Sequence, residues 1–223
     1  MATYRRTIDL PEVIPVFPLD GVLLLPGGVL PLRIFEPRYL NMVDDAMSGG
    51  RVIGMLQTAP GGTRMNPALA AIGCAGRITS YSETGDGIYM IALTGLIRFE
   101  TGEELPRLTP YRQVRPSYAR FEHDLAEDEA EEFDRSAFLG LLRRYLDGKG
   151  LSIEWEAVAA APGPALISSL SMALPFDPAE KQALLEADDP DARRATLEAL
   201  LAIDAALSET SGDEEGDASP TIQ

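Results

Sequence analysis

Residues 13–120 consist of short apolar runs that glycine and proline interrupt repeatedly, and this pattern constrains the fold more than any other feature. Such runs are typical of strands in a compact β structure and not of a helical bundle. Further along the chain, the apolar spacing changes to the three- and four-residue period of helices. The sequence therefore predicts an α+β protein with a β-rich part over residues 12–121, a helical part over residues 122–207 and a disordered acidic tail over residues 208–223.

The net charge of −16 is concentrated in the second half of the chain. Residues 1–120 carry 12 arginines and 11 acidic residues, which gives +1, whereas residues 121–223 carry 24 acidic and 7 basic residues, which gives −17. This asymmetry supports a division into two domains. An acidic body repels nucleic acids and membrane surfaces at long range, so we expect no membrane partner and consider nucleic acid an unfavourable one.

The individual strands and helices can be predicted from the spacing of apolar residues and from the positions of glycine and proline. Residues 37–48 should form a helix, because Pro37 suits a first helical position and Gly49-Gly50 ends the apolar period. Pro60-Gly61-Gly62 marks residues 58–66 as a loop. The predicted strands comprise residues 13–17, 29–34, 51–57, 72–81, 88–99 and 114–121. The predicted later helices comprise residues 126–146, 153–160 and 163–173, followed by two that Asp177 and Asp191 head.

The residue inventory offers little for catalysis or metal binding. Cys74 is the only cysteine and His123 the only histidine, so three or four nitrogen and sulfur ligands for zinc cannot be assembled. No G-x-S-x-G accompanies His123, which we interpret as an exposed linker residue.

One cysteine cannot form an internal disulfide, which favours the cytoplasm, and prolines interrupt the apolar stretch 13–35 that could otherwise span a membrane. We predict no catalytic residue, metal or cofactor.

Residues 14–47, IPVFPLDGVLLLPGGVLPLRIFEPRYLNMVDDAM, resemble the opening of the Lon protease substrate-binding domain. The shared features are a proline-leucine strand, an apolar run that ends in a proline-glycine turn, a second strand and a distinctive helix start, in the family's order and spacing. The residues that carry them are Pro18, Pro26, Gly27, Phe35, Glu36, Pro37, Arg38 and Tyr39. Weaker similarity at residues 76–78, 93–99 and 174–186 extends the resemblance over roughly residues 12–205.

The resemblance implies a PUA-like, twisted pseudo-barrel with one helix, followed by an α-helical bundle subdomain. It also implies contact with polypeptides, because this domain helps full-length Lon to engage substrates. The chain has no G-x-x-x-x-G-K-[ST], and its two lysines, Lys149 and Lys181, do not match the context of the Ser-Lys dyad of Lon. We therefore expect a non-catalytic, stand-alone module that binds unfolded or partner protein segments as an adaptor or chaperone-like factor, with a Lon-type protease as a candidate partner.

The candidate peptide-binding patch combines side chains that protein interfaces favour. Its members are Arg33, Met65, Tyr81, Tyr89 and Arg98. Strand alternation predicts that Arg33, Arg77 and Arg98 point outward if Ile34, Ile78, Ile97 and Phe99 point inward. An exposed sheet edge could add backbone hydrogen bonds. The motif residues around Glu36-Pro37-Arg38-Tyr39 are predicted to be structural, as a helix cap and a packed tyrosine.

Two alternatives remain open from the sequence. The arginine-rich first half and a PUA-like barrel suit RNA or nucleotide binding, although the overall charge and the scarcity of lysine weigh against it. A hydrolase or transferase could pair a carboxylate with an arginine in a cleft, but the sequence indicates no such pair. Strongly salt-dependent RNA binding would favour the first alternative, and turnover that depends on one carboxylate would favour the second.

Overall fold

The computed structural model describes residues 6–63, 66–126 and 133–214, with side chains described up to residue 207. The chain divides into two compact units. The first unit comprises Met1–Glu129 and Ser168–Glu186, and the second comprises Ala130–Ile167 and Ala187–Gln223. Residues 168–186 group with the first unit in this division.

The first unit contains a six-stranded mixed sheet and a separate two-stranded sheet. The strands in chain order are β1 (Ile14–Pro18), β2 (Val29–Ile34), β3 (Val52–Leu56), β4 (Thr58–Thr63), β5 (Asn66–Leu69), β6 (Ile72–Glu83), β7 (Tyr89–Glu100) and β8 (Arg112–Val114). The two strands of the smaller sheet lie between β3 and β6 in the sequence. The large sheet has the order β2-β7-β6-β3-β1-β8, and β4 pairs with β5. The β1–β3 pair is parallel and the other pairs are antiparallel. The predicted α+β class is confirmed, and β2 and β8 are the edges of an open large sheet.

The described chain contains six α-helices and two short 3-10 helices. The α-helices are α1 (Pro37–Ser48), α2 (Arg135–Lys149), α3 (Trp155–Ala160), α4 (Gly163–Ala173), α5 (Pro178–Glu186) and α6 (Pro190–Glu214), and the 3-10 helices are Thr7–Asp9 and Ala119–Leu125. Helix α5 belongs to the first unit. It begins with a capping box in which Asp177 accepts from the Glu180 N–H and Glu180 accepts from the Asp177 N–H.

Helix α1 forms where the sequence predicts it. Pro37 is its first residue, and the chain leaves the helix at Gly49. Its buried face consists of Tyr39, Met42, Val43 and Ala46, which recur at three- and four-residue spacings. The Tyr39 ring packs on Phe17 of β1 with 4.1 Å between centroids, which ties the helix to the sheet.

The expected hairpin of residues 72–99 is present; β6 extends two residues further than predicted, and β7 is displaced by one residue. Two other predictions were wrong. Residues 58–66 do not form a plain loop, because β4 and β5 pair across this region with a register shift between Ala59 and Gly62. A strand was predicted over residues 114–121, but β8 comprises Arg112–Val114 and shares only Val114 with that range. The Ala119–Leu125 3-10 helix follows it.

Two helices of the second unit begin or end at residues other than those predicted. Helix α2 begins at Arg135, because the Asp134 side chain caps it by accepting from the Ala137 N–H. It continues past Gly148 and ends at Gly150, whose φ of 64° is a left-handed conformation that suits glycine. Helix α6 starts at Pro190 with Asp189 as its cap, not at Asp191. Its backbone is helical as far as Glu214, seven residues into the predicted tail, and residues 215–223 lie outside the described residues.

Candidate functional site

The sheet does not bring the predicted arginine and tyrosine patch together on one face. Arg33 of β2 pairs with Met90 of β7, and cross-strand partners share a face of the sheet. Tyr89 pairs with Ile34, and Tyr81 pairs with Ile91, so both tyrosines extend from the face that carries the buried aliphatic residues. Arg33 is exposed, as alternation predicts, but it lies on the opposite face from the two tyrosines.

A β-bulge explains the position of Tyr81. The register of β6 and β7 shifts between Ile78 and Ser80, which leaves one extra residue, Thr79, in β6. An extra residue reverses the alternation beyond it, so Tyr81 moves to the face that carries Ile78. Simple alternation along β6 would have placed Tyr81 on the outer face. Sequence alone gave no sign of the bulge.

The rings of Tyr81 and Tyr89 contact each other, and Tyr89 is hydrogen-bonded to Asp44 of helix α1. Their rings are 5.1 Å apart with an edge-to-face angle of 69°. A hydrogen bond with Asp44 raises the pKa of Tyr89 above its usual value, and a second with Tyr81 raises that pKa further. Tyr81 keeps 38% of its surface exposed. The pair therefore offers a small aromatic surface at the end of the sheet next to α1.

The prediction that Arg98 points to solvent is wrong, because Arg98 is fully buried. Alternation does place it on the face opposite Ile97 and Phe99, but the Ala119–Leu125 3-10 helix covers that face. Asp124 of this segment accepts from Arg98 Nε at 2.9 Å and from Nη2 at 2.8 Å. The Leu185 carbonyl of α5 accepts from Nη1 at 3.1 Å. Arg98 is thus a structural residue, and its replacement cannot report on ligand binding.

His123 lies against the buried Arg98–Asp124 pair. Its Nε2 lies 3.1 Å from Nη2 of Arg98. Because a guanidinium only donates, Nε2 is the acceptor in this contact. The guanidinium of Arg98 also lies over the Phe121 ring, 4.3 Å from its centroid. His123, interpreted from the sequence as an exposed linker residue, is about half exposed on its outer side.

An exposed apolar stripe lies on the outer face of the sheet at the β2 edge. It consists of Val29, Pro31 and Met90, together with Phe35 immediately after β2, and we call these four residues the outer stripe. Val29 is 58% exposed, Phe35 63% and Met90 41%. Pairing of Arg33 with Met90 and of Pro31 with Ala92 fixes this face. Arg33 lies on the same face as Pro31 and Met90 and is the charged residue of this surface.

The free edge of β2 is poorly suited to accept another strand. Gly27 and Gly28 are both opposite Gly95, where the Gly27 N–H donates to the Gly95 carbonyl and the Gly95 N–H donates to the Gly28 carbonyl. Alternation from this point directs the backbone groups of Pro31 away from β7. Proline has no N–H, so the outward row of donors is interrupted at its centre. An additional strand would therefore meet an interrupted row of backbone donors at this edge.

A second feature of the first unit is a cavity of about 500 Å³ at the start of α1. Strand β1, the first turn of α1, the β4–β5 hairpin and the segment that leads into β8 form its walls. It is lined by Val16, Pro18, Glu36, Arg38, Tyr39, Thr58, Pro67, Arg107, Pro110, Tyr111 and Arg112. Four of the motif residues predicted to be structural, Pro18, Glu36, Arg38 and Tyr39, therefore line a cavity.

The three guanidinium groups of the cavity are held differently. Arg112 binds both oxygens of Glu104, at 2.8 and 2.6 Å, and donates to the Pro67 carbonyl at 2.7 Å. The bond from Arg112 holds the pKa of the Glu104 carboxyl below its usual value. Arg38 donates to Glu36 at 2.9 Å and lies 4.5 Å from the centroid of the Tyr39 ring. Arg107 donates to the amide oxygen of Asn66, a neutral partner.

Glu36 does not cap α1 through its side chain, contrary to the sequence interpretation of this motif. Its carboxylate makes no bond to the first-turn N–H groups, and it binds Arg38 instead. The Glu36 carbonyl accepts from the Tyr39 and Leu40 N–H groups, so only its backbone serves the helix. Tyr39 is packed as predicted, with 6% of its surface exposed. The charged side chains of the motif, Glu36 and Arg38, therefore bind each other and line the cavity.

The turn at Pro26-Gly27 is bonded to β7 through its backbone. Gly27 has a φ of 73°, which favours glycine, and its N–H donates to the Gly95 carbonyl. Sequence reasoning missed Arg107, Tyr111 and Arg112, because none of the motifs that carry the resemblance to the Lon family lies within residues 100–112. The close succession of arginine, proline and tyrosine in RLTPYR was the available signal.

Several other expectations concern particular residues. Met65 lies outside the described residues. Cys74 is buried, as expected for a small core residue. Within residues 6–63, 66–126 and 133–207, no group of three or more His, Cys, Asp or Glu side chains is placed to hold a metal ion. No helix in the described part of the chain is long and apolar enough to cross a membrane.

The open mixed sheet with one early helix and a following helical unit defines the class of this protein as a Lon N-terminal-type α+β domain. The family model of the ATP-dependent protease La (Lon) substrate-binding domain matches residues 13–202. The chain belongs to the Lon substrate-binding domain family. The matched domain is the non-catalytic part of Lon.

Individual relatives agree with this assignment. Lon protease 2 of Myxococcus xanthus is 30% identical over 208 residues, which cover 86% of this chain and 24% of that protein. The chain thus spans about a quarter of the length of this relative, and 12–14% of the length of seven other curated Lon proteases.

Two solved structures have the same fold. The Lon N-terminal domain protein from Xanthomonas campestris superposes with a TM-score of 0.60 at 26% identity, and the match covers 84% of this chain and 97% of that one. The N-terminal domain of the Mycobacterium avium complex Lon protease has a TM-score of 0.60 at 18% identity and supports the fold alone.

Proposed function

We propose that this protein binds segments of other polypeptides that lack stable structure, and that the outer stripe is the principal contact surface. Membership of the Lon substrate-binding domain family supports a substrate-recognition module. The observation that carries the proposal is the exposure of Val29, Phe35 and Met90, each at least 41%, along the β2 edge of the sheet. Grouped exposed apolar side chains are characteristic of protein interaction sites.

The chemistry of the outer stripe suits unfolded chains. An unfolded segment exposes aliphatic and aromatic side chains that a folded protein buries, and their transfer onto apolar surface contributes roughly 25 cal/mol per Å². Met90 adapts to irregular partners because its side chain is unbranched and flexible. Pro31 interrupts the backbone donors at the edge, so affinity comes from side-chain burial and has little dependence on sequence register.

The same proposal assigns the module a role in proteolysis. A surface of this kind can hold an unfolded segment and present it to a protease, either as an adaptor or as a chaperone-like factor. A Lon-type protease is the natural partner for such an adaptor, because the chain shares a fold with the domain through which Lon engages substrates. The cytosol is the proposed setting, since Cys74 is a buried free thiol that a reducing compartment leaves unchanged.

Binding to a permanently unfolded polypeptide, to its folded parent and to a structured RNA tests the function directly at physiological salt. The informative variant replaces Phe35→Ser and Met90→Ser together. Its matched control is Ile203→Ser, because Ile203 is 58% exposed and belongs to α6 in the second unit. Replacement of exposed side chains keeps the fold intact, which circular dichroism of all variants verifies.

We expect the wild-type protein to prefer the unfolded chain over its folded parent. The double variant should lose about tenfold in affinity, since two buried apolar side chains contribute more than the 1.4 kcal/mol that a factor of ten requires. The Ile203→Ser variant should bind like the wild type. Equal binding by both variants, or tighter binding of RNA with a steep salt dependence, would overturn the proposal.

A further inference from the structure

The cavity at the start of α1 has a chemistry that the outer stripe lacks. Its walls carry three arginines, and two tyrosine rings and three prolines supply its apolar surface. We propose that this cavity binds the carboxylate of an aspartate or glutamate side chain within a bound polypeptide segment. The proposal takes its ligand class, a polypeptide, from the proposed function, and it adds a second site with a different selectivity.

Arg107 is the first cation available to such a carboxylate. Arg107 is an exposed residue that lines the cavity, and its hydrogen bond is to the neutral amide of Asn66. A carboxylate bound to a guanidinium gains a charge-assisted bond that is roughly twice as strong as a neutral one. An incoming acidic side chain can therefore replace or add to the amide contact with a net gain.

Arg38 is the second available cation, because its present partner is easily exchanged. The Arg38 and Glu36 side chains are 50% and 45% exposed. Exposed pairs of this kind contribute about 0–1 kcal/mol, so a ligand carboxylate can displace Glu36 at little cost. Glu36 then acts as an internal competitor that occupies Arg38 in the free protein.

Arg112 has a different role, because its guanidinium donors already bind groups of the protein itself. Its side chain is 11% exposed and it binds both oxygens of Glu104 as well as the Pro67 carbonyl. It holds the β4–β5 hairpin against β8 and so fixes one wall. Two further carboxylates reach lining residues, and both are occupied: Asp20 accepts from Thr58, and Asp45 accepts from Tyr111.

The apolar part of the wall selects what surrounds the carboxylate. The Tyr39 and Tyr111 side chains are almost fully buried, and Pro18, Pro67 and Pro110 complete the lining. A volume of about 500 Å³ lies in the ordinary range for small ligand sites and accommodates a few side chains. The cavity therefore fits an acidic residue flanked by apolar or aromatic residues.

Polypeptide is favoured over nucleic acid as the source of the anion. The chain carries a net charge of −16, which repels a polyanion at long range and leaves a single carboxylate among apolar residues much less affected. The lining also holds Glu36, which would oppose the several phosphates of a nucleic-acid strand. A single buried acidic side chain meets no such opposition once Glu36 has been displaced.

The test uses fluorescein-labelled peptides with the core sequence Leu-Phe-Glu-Phe-Leu, its Gln counterpart, and a Gln peptide with a free terminal carboxylate directly after the core. The first two have amidated ends, so the side chain alone distinguishes them. Arg33 beside the outer stripe also attracts the Glu peptide, so the part of the affinity ratio that Arg107→Gln and Arg38→Gln remove is what reports on the cavity. A structured RNA serves as the alternative anion.

The variants are Arg107→Gln, Arg38→Gln and Glu36→Gln, with Arg115→Gln as the matched control. Arg115 is likewise about half exposed and paired with a carboxylate, Glu12, but it does not line the cavity. We expect the Glu peptide to bind roughly tenfold more tightly than the Gln peptide, the ratio that one charge-assisted hydrogen bond supports. Arg107→Gln and Arg38→Gln should each reduce this ratio severalfold, and Arg115→Gln should leave it unchanged.

Glu36→Gln gives the sharpest outcome, because a positioning role alone would not produce it. Removal of the internal competitor should raise the affinity for the Glu peptide and leave the affinity for the Gln peptide unchanged. Equal binding of the Glu and Gln peptides would overturn the inference, as would preference for the terminal carboxylate or for RNA. Retention of unfolded-chain binding through Phe35 and Met90 in that case would show that the cavity proposal alone had failed.

Discussion

Asp124 binds Arg98 through both carboxylate oxygens, and its Oδ2 also accepts the backbone N–H of Arg98 at 2.9 Å. The Arg98 side chain is completely buried and that of Asp124 is 6% exposed. Transfer of such charges out of water costs several kcal/mol per ion, and only the closely fitted hydrogen bonds offset this cost. The pair connects the end of β7 with the Ala119–Leu125 segment, so it determines how that segment covers the sheet.

The first prediction concerns this pair. Asp124→Ala removes the carboxylate that binds Nε and Nη2 of the buried Arg98 guanidinium, and we expect the free energy of unfolding to fall by roughly 3–5 kcal/mol. Urea titration followed by circular dichroism measures the change. Replacement of both partners, as Arg98→Met with Asp124→Leu, should be less destabilising than Asp124→Ala, because no unpaired charge remains.

The exposed Arg38–Glu36 pair supplies the control for this measurement. Glu36→Ala removes a carboxylate from a guanidinium that water already reaches, so it should change the free energy of unfolding by about 1 kcal/mol or less. If Asp124→Ala were as mild as Glu36→Ala, Arg98 would not depend on Asp124 for its burial. The patch predicted from the sequence would then regain Arg98 as a candidate.

The second prediction concerns the close approach of two backbone segments. A Cβ atom at Gly95 would overlap the carbonyl oxygen of Leu25 and lie 2.7 Å from its carbonyl carbon. These are backbone atoms of the loop that crosses β7, so they cannot rotate away. Gly95→Ala should therefore lower the free energy of unfolding by about 3 kcal/mol, at the upper end of the usual cost of overpacking.

Gly85, in the turn between β6 and β7, is the matched control for Gly95. A Cβ atom there would have no neighbour within 4 Å. Gly85→Ala should change the free energy of unfolding by about 1 kcal/mol or less. Similar effects of the two substitutions in the same urea titration would show that the Leu25 carbonyl moves freely and would contradict the prediction.

Much of the fold follows from local sequence, because local rules govern the elements concerned. Strand β2 and helix α1 occur where a proline-glycine turn and a first-turn proline predict them. The pairing of β4 with β5 was not predictable in this way. Its residues are small or polar and include Pro60, so the apolar alternation that identifies a strand is absent.

The candidate site was less predictable than the fold, because it depends on contacts between residues that are distant in sequence. Arg98 is covered by Asp124 and by the carbonyl of Leu185, 26 and 87 residues away. A single extra residue at Thr79 moved Tyr81 to the other face of the sheet. Alternation predicts which face a side chain takes, but not what covers that face or where a bulge interrupts the pattern.

The third prediction concerns Tyr111, whose hydroxyl donates to Asp45 Oδ2 at 2.6 Å in the wall of the cavity. Burial and then the bond to Asp45 raise the pKa of Tyr111 from 10.0 to about 12. The folded protein therefore retains this proton at a pH where the unfolded chain has lost it. Because the pKa is raised, its stabilising contribution is fully present below pH 10.0 and is lost as the pH rises toward about 12.

Tyr111→Phe removes both the hydroxyl and its titration. At neutral pH we expect the variant to be about 1 kcal/mol less stable, since Asp45 loses a hydrogen bond. The difference in unfolding free energy between wild type and variant should then shrink as the pH rises above 10.0. Other tyrosines titrate in both proteins, so subtraction isolates Tyr111. A difference that stays constant across this range would mean that Tyr111 ionises alike in the folded and unfolded chains, which its burial against Asp45 does not permit.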